Sequence, residues 1–423
     1  MANPSPDGPR TASTHTPGTA PATSAQVPAA EAPRVPVRAL LDAGPGPMHP
    51  VARATLSAAV EAGWADPRRL HAEGRTARRL LDDARAVLAD GLGVRPEEVA
   101  FAPDGPTAVR WMAQGLSYAA RRRGARVVTS AVEHSAVLLP ARHEAAQAGD
   151  RSLARLVPVD RLGRVDLDAW SQEVVVPGTV AALLQHANGE VGTIQPLASA
   201  HDCCRAAGVP LAVDAQASLG RVAPPHDYDL LAGDAQSWGG PGGLGVLVVP
   251  DRTRWLLPGP ADPDAALHGP SRHTPWVPLA LAAAEAWQQT AATRATDAGE
   301  AFALVDELRS TAATVADVEV VGDPVIRLPH VLTFSALYAD GEALVRAFDR
   351  RGFAVASGSA CTSSTLEPSH VLAAMGALTH GNIRVTLPLA AACPDRARGV
   401  RGFAAAIAAV VAAVRAELGA TQL

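Results

Sequence analysis

The chain has 423 residues, 48% of them apolar, with 37 basic and 42 acidic side chains. That length suffices for about two or three domain-sized units with large cores, and a net charge of −5 with scattered arginines leaves no basic face for a nucleic acid. All 37 basic residues are arginine; lysine, of which average usage would supply roughly two dozen, is absent.

Residues 1–36 are rich in Pro, Ala, Ser and Thr and lack a basic segment leading into an apolar one, so they read as a disordered tail and not as a secretory signal. From Arg38 onward helical stretches alternate with short apolar ones. Helices are expected at 50–62, 71–92 and 106–121, the last ending in the solvated run Arg121-Arg122-Arg123. Strands are expected at 126–129, 153–159, 180–185, 210–213, 230–233 and 245–249. This is the α/β pattern of a mainly parallel sheet covered on both faces, giving a large domain over 37–258 whose N-terminal segment is also a candidate to join a second domain. The Pro/Gly/Asp-rich stretch 258–270 marks a boundary, and the Ala-rich residues 277–308 are expected to form a connecting helix. Residues 259–423 then hold that linker and a smaller C-terminal α/β domain. Its late apolar run, Phe403 to Val414, is about 12 residues against the roughly 20 a membrane span needs. It reads as a buried helix, and no membrane partner is expected. Four cysteines, Cys203, Cys204, Cys361 and Cys393, have neither paired metal-ligand spacing nor disulfide-scaffold density, so no metal site is expected and a reducing cytoplasm fits best.

Four stretches carry a resemblance. Residues 356–372, ASGSACTSSTLEPSHVL, match the pattern SSGSACTSxxLEPSxVL nearly letter for letter. The others are Glu133-His134-Ser135-Ala136-Val137, His186-Ala187-Asn188-Gly189-Glu190-Val191-Gly192 and Asn382-Ile383-Arg384-Val385-Thr386-Leu387, with Asp66-Pro67 preceding His71 and Gly74. Together they span nearly all of the chain beyond the tail, and they resemble the cysteine desulfurases of the class V aminotransferase family. That resemblance implies the type I fold of pyridoxal phosphate (PLP) enzymes, a large mainly parallel-sheet domain plus a smaller C-terminal α/β domain, and a homodimer. It further implies that Cys361, in the family's mobile loop, takes sulfur as a persulfide, thiolate being the reactive form. Arg384 matches the guanidinium that holds a substrate carboxylate, and His134 the imidazole that stacks on the cofactor ring and shuttles protons. Asp214 matches the carboxylate paired with the ring nitrogen. The same Asp214 could instead cap the next helix, and His134 could be only a packed imidazole.

The other half of the family's site is altered. Where the family reads S-G-H-K, two residues, then G-P-K-G, this chain has Asp234-Ala235-Gln236-Ser237, Trp238-Gly239, then Gly240-Pro241-Gly242-Gly243. Ser237 therefore matches the imine-forming lysine, and a hydroxyl forms no imine with an aldehyde. Gln236 replaces a histidine, and Asp234 replaces a serine that donates to the cofactor phosphate, where a carboxylate would repel it unless protonated or turned away. Gly189 matches an asparagine and Ala217 a glutamine, although Gln216 is adjacent. Asp104-Gly105-Pro106-Thr107 departs from the phosphate loop S-G-A-T, keeping Thr107 but losing a donor at Pro106. Thr274 matches the residue that reaches a partner's phosphate, with its neighbouring arginine displaced.

PLP is thus implied by the resemblance but expected to be bound without a covalent link, or not at all. The leading expectation is a desulfurase-like protein that handles sulfur at Cys361, taking it from a donor or passing it to an acceptor protein. The alternatives are a PLP-independent enzyme on a small carboxylate or sulfur substrate, a desulfurase with non-covalent PLP, and a regulatory pseudoenzyme, dimerised with itself or with an active homologue.

Overall fold

The apolar stretches become strands of a seven-stranded sheet, in a computed structural model that describes residues 38–44, 46–63, 65–260, 264, 269–358 and 368–419. These residues fall within one compact unit, 37–423. After β1 (Ala39–Leu40), α1 (Pro50–Glu61) and α2 (Ala72–Leu92) come β2 (Val99–Ala102), α3 (Gly105–Ala120), β3 (Arg126–Ser130) and α4 (Ser135–Gln147). Next are β4 (Ala154–Val157), α5 (Leu167–Val174), β5 (Thr179–Gln185), α6 (Leu197–Ala207), β6 (Leu211–Asp214), β7 (Leu230–Asp234) and β8 (Gly245–Val248).

The sheet order is β2-β8-β7-β6-β5-β3-β4, with parallel pairings from β7 through β4. Only β8 runs against its neighbours, antiparallel to both β7 and β2. The central strands are buried on both faces, as parallel sheets between helices require. The sequence expectation omitted β2, whose Val99-Ala100-Phe101-Ala102 is apolar at every position, a pattern that periodicity alone does not separate from a buried helix segment.

The long α7 (Val277–Ala313) joins the two halves. Its Ala280, Ala283 and Trp287 pack in the large-domain core, while Ala301, Leu304, Val305 and Leu308 pack in a second core with Phe334, Phe348 and Phe403. That second core belongs to β9 (Val318–Val321), β10 (Val331–Ala336), α8 (Gly341–Asp349), β11 (Phe353–Ala354), α9 (His370–Met375), β12 (Asn382–Thr386) and α10 (Arg396–Glu417). Here β12, β10 and β9 form an antiparallel sheet, and β1 pairs with β11, drawing the N-terminal segment into this half.

The last helix is longer than the apolar run within it. α10 is 22 residues and, by length and composition, is long and apolar enough to cross a membrane, because its Arg-rich first turns extend the helix beyond the apolar run. Yet Val400, Phe403, Ile407, Val410, Val411 and Val414 are buried in the small-domain core, the pattern of a packed helix. Cys361 and the rest of 359–367, and much of 258–270, lie outside the described residues, as does the whole of 1–37.

Candidate active site

In a parallel sheet the strand ends that carry loops into helices also carry the functional residues. Asp214 ends β6, Asp234 ends β7, Glu133 and His134 follow β3, and α3 starts just after β2, which lies parallel to β7 across the antiparallel β8. All of these chain ends meet along one edge of the sheet.

At the first turn of α3 every backbone amide is assigned. Asp104 is the N-cap, and its Oδ1 accepts from the Thr107 amide at 2.6 Å. Pro106 has no amide hydrogen. The Gly105 amide donates across 129 residues of sequence to Asp234 Oδ2 at 2.6 Å. The other oxygen of Asp234 accepts from the Gln236 amide at 2.9 Å, capping the short turn Ala235–Trp238. Closure is tight: a Cβ at residue 105 would lie 2.6 Å from Asp234 Cβ and 2.6 Å from Gln216 Oε1, so only glycine fits. Burial pushes the Asp234 carboxyl above the ordinary carboxylate range, while its two amide donors pull the other way.

Within that turn Ser237 Oγ donates to the Asp234 carbonyl at 2.8 Å. The next residue, Trp238, fixes the turn: its indole meets Trp287 edge-on at 5.2 Å and its Nε1 donates to the Ala283 carbonyl at 3.0 Å. At Gly220, with φ +77, a Cβ would stand 2.3 Å from Trp238 Cβ, so glycine is required there both by conformation and by space.

Asp214 is also answered internally. Its Oδ1 accepts from the Gln216 amide at 2.9 Å, and the Gln216 side-chain Nε2 reaches Oδ1 and Oδ2 at 3.1 and 2.9 Å. Burial raises the Asp214 carboxyl and the neighbouring His134 lowers it. His134 caps α4, its Nδ1 accepting from the Ala136 amide at 3.0 Å, which leaves the proton of the neutral ring on Nε2. Burial lowers its pKa. The adjacent Glu133 is fully buried, accepting at Oε1 from Ser130 Oγ at 2.5 Å and the Gln185 amide at 3.1 Å, with Oε2 unpartnered among the described residues. Burial pushes its carboxyl up to about 8.

The opposite wall comes from the small domain together with Arg221 of the large one. Arg384 on β12 touches Asp42 through Nη2 at 3.4 Å, while its buried Nε and Nη1 have no partner among the described residues. Arg221 is buried, donating from Nε to the Ser237 carbonyl at 2.8 Å and from Nη1 to the Leu387 carbonyl at 3.3 Å. Burial lowers its pKa to about 10, so it stays charged at neutral pH. His330 Nδ1 is buried without a partner among the described residues, and burial with the nearby Arg221 and Arg396 holds the ring neutral.

The structure therefore brings His134, Gly189, Gln216, Asp234, Gln236, Ser237 and Arg384 to one cleft of about 400 Å³, with Asp214 in an adjoining pocket beside His134, Gly189 and Gln216. Ala217 lines both. Thr107 and Thr274 line neither; the Thr274 hydroxyl is buried without a partner among the described residues. Arg221, His330 and Asp42 escaped sequence reasoning, since none sits in a motif. Among the described residues no cluster of His, Cys, Asp and Glu could hold a metal ion. Cys204 is buried, its thiol pushed up to about 12, and is inert.

Comparison with known proteins places this geometry. The family described as aminotransferase class-V matches residues 40–392. A protein named cysteine desulfurase IscS from Dictyoglomus turgidum is 30% identical over 336 residues, covering 77% of this chain and 83% of the relative. One of the same name from Vibrio atlanticus is 32% identical over 330 residues, covering 75% and 78%. Among solved structures, a NifS-like protein superposes with TM-score 0.76 at 22% identity, covering 88% of this chain and 99% of that one, which shows the fold. DndA from Streptomyces lividans gives 0.68 at 27% identity, covering 80% and 96%.

Proposed function

The chain belongs to the aminotransferase class-V family, among its cysteine desulfurases, and from that premise we propose that it handles sulfur through Cys361 without the lysine imine of its PLP-using relatives. The role is that of a persulfide carrier or partner in sulfur transfer. The Cys361 thiolate takes the outer sulfur of a donor persulfide, the donor cysteine leaves as a thiolate, and the new S–S bond stays on Cys361 until an acceptor thiolate takes the sulfur.

The observation that carries this reading is the chemistry at residue 237. The Ser237 hydroxyl is tied to the carbonyl of its own turn, and a chain with no lysine has no other side-chain amine to replace it. The residues present do not fit PLP held in the family's manner: imine formation has no amine, and Asp214 is already bonded by Gln216. The cysteine-loop sequence and the Arg384 edge without a partner among the described residues support retention of the sulfur-handling side alone. We place the protein in a reducing cytoplasm, as a homodimer or paired with an active homologue.

A second reading, a PLP-independent enzyme on a small carboxylate substrate, is favoured by one observation: a buried guanidinium edge without a partner among the described residues in a cleft of substrate size. The first reading is tested with an active desulfurase and sulfur-labelled cysteine. Label should reach this protein and be lost in Cys361→Ser; an unlabelled wild-type chain sinks the carrier role.

A further inference from the structure

The start of a helix beside a ligand cleft is where an anion is ordinarily seated, because its first amides point outward and the helix dipole favours negative charge. In α3 those amides are taken from within the chain: Gly105 by Asp234, Thr107 by Asp104, with Pro106 between them. We infer that the Asp234 carboxylate is the built-in occupant of this anion seat, so that the cleft accepts an unphosphorylated ligand and excludes PLP and other phosphate-bearing molecules.

Three observations beyond the hydrogen bond support this. The seat is filled to contact, since even a methyl group on residue 105 would meet Asp234 and Gln216 at 2.6 Å, and a phosphate is far larger than a methyl. Gln216 spans the floor, its Nε2 on Asp214 and its Oε1 beside Gly105, so the ring-nitrogen partner and the phosphate seat are closed by one side chain. The charge is also of the wrong sign: Asp234 lines the cleft, and Asp104 and Asp214 lie near enough to act on its charge. At the other wall Arg384 keeps a buried guanidinium edge without a partner among the described residues, and that planar edge suits a single carboxylate.

The inference rests on the family reading only for the expectation that a phosphate once belonged there. It is tested by equilibrium dialysis of the purified full chain against PLP and against pyridoxal, which differ only in the phosphate. Wild type should hold PLP no more tightly than pyridoxal. Asp234→Ser, which removes the carboxylate, should improve PLP affinity by about a hundredfold or more while leaving pyridoxal within about threefold, since relief of charge repulsion at contact distance is of that order. Asp234→Asn keeps the side-chain size and should gain about tenfold, a second route if the serine variant does not fold. A wild-type preference for PLP of tenfold or more overturns the inference whatever the variants do, and so does a folded Asp234→Ser without gain. These readouts involve no sulfur and no Cys361, so a failed sulfur-transfer assay beside intact phosphate exclusion refutes only the carrier role.

Discussion

Replacing Gly105 by alanine sets two effects of opposite sign against each other. Alanine is favoured over glycine in a helix by about 1 kcal/mol, partly through the unfolded chain. Against that, the new Cβ would lie 2.6 Å from Asp234 Cβ and 2.8 Å from its Oδ2, and Asp234 Cβ hangs directly on the strand backbone and cannot swing aside as a flexible tip would. Overpacking costs about 1–3 kcal/mol, and forcing Asp234 off the Gly105 amide forfeits a charge-assisted hydrogen bond of about 1.5–3 kcal/mol. The clash wins, and Gly105→Ala should destabilise by about 2–4 kcal/mol, read as a fall in the urea midpoint on the order of 1 M. The matched control is Gly299→Ala in α7, where an added Cβ meets nothing within 4 Å and a gain of about 0.5–1 kcal/mol is expected. If the two substitutions shift the midpoint in the same direction, the tight closure of Asp234 and Gln216 over α3 is refuted.

Glu133 predicts a pH dependence. Its folded pKa of about 8 lies above its ordinary value of 4.5, so the folded state binds the extra proton between those values; the contribution is complete below pH 4.5 and is lost as pH rises through 8. At about 1.4 kcal/mol per pH decade the loss approaches 5 kcal/mol, with relaxation of the site leaving at least about 2. Glu133→Gln should flatten that part of the stability–pH curve in urea titrations at pH 5 to 9, and parallel curves for the two proteins would contradict the assignment. Arg221→Met should cost about 2–4 kcal/mol by leaving the buried Ser237 and Leu387 carbonyls without their donor, measured by the same unfolding; a loss under about 0.5 kcal/mol would show that the tie is not structural.

What could be read from residues alone follows the range of the interaction. Val180 to Gln185 announced a strand because an apolar run between turn signals is a local property, and the same is true of Arg126 to Thr129. Val99 to Ala102 is as short and as apolar, and such a run alone does not separate a strand from a buried helix segment. The like-charge problem at Asp234 was visible as soon as a carboxylate stood at a phosphate-binding position. Its resolution was not, because the Gly105 amide that receives it lies 129 residues away and the pairing exists only once β2, β8 and β7 are side by side. Gln216 illustrates the same limit: its neighbour Ala217 matched the family's glutamine, yet it is Gln216 that folds back onto Asp214. Arg221 and His330 owe their roles to burial where residues of the two halves meet, which no local spacing encodes.

On the proposed function this chain receives sulfur but does not release it from cysteine. Intact mass spectrometry of the freshly purified protein, incubated with cysteine and PLP alone and then with an active desulfurase added, tests it directly. The expected result is no gain in the first case and the mass of one sulfur atom on Cys361 in the second. A sulfur adduct on Cys361 with cysteine and PLP alone would contradict it.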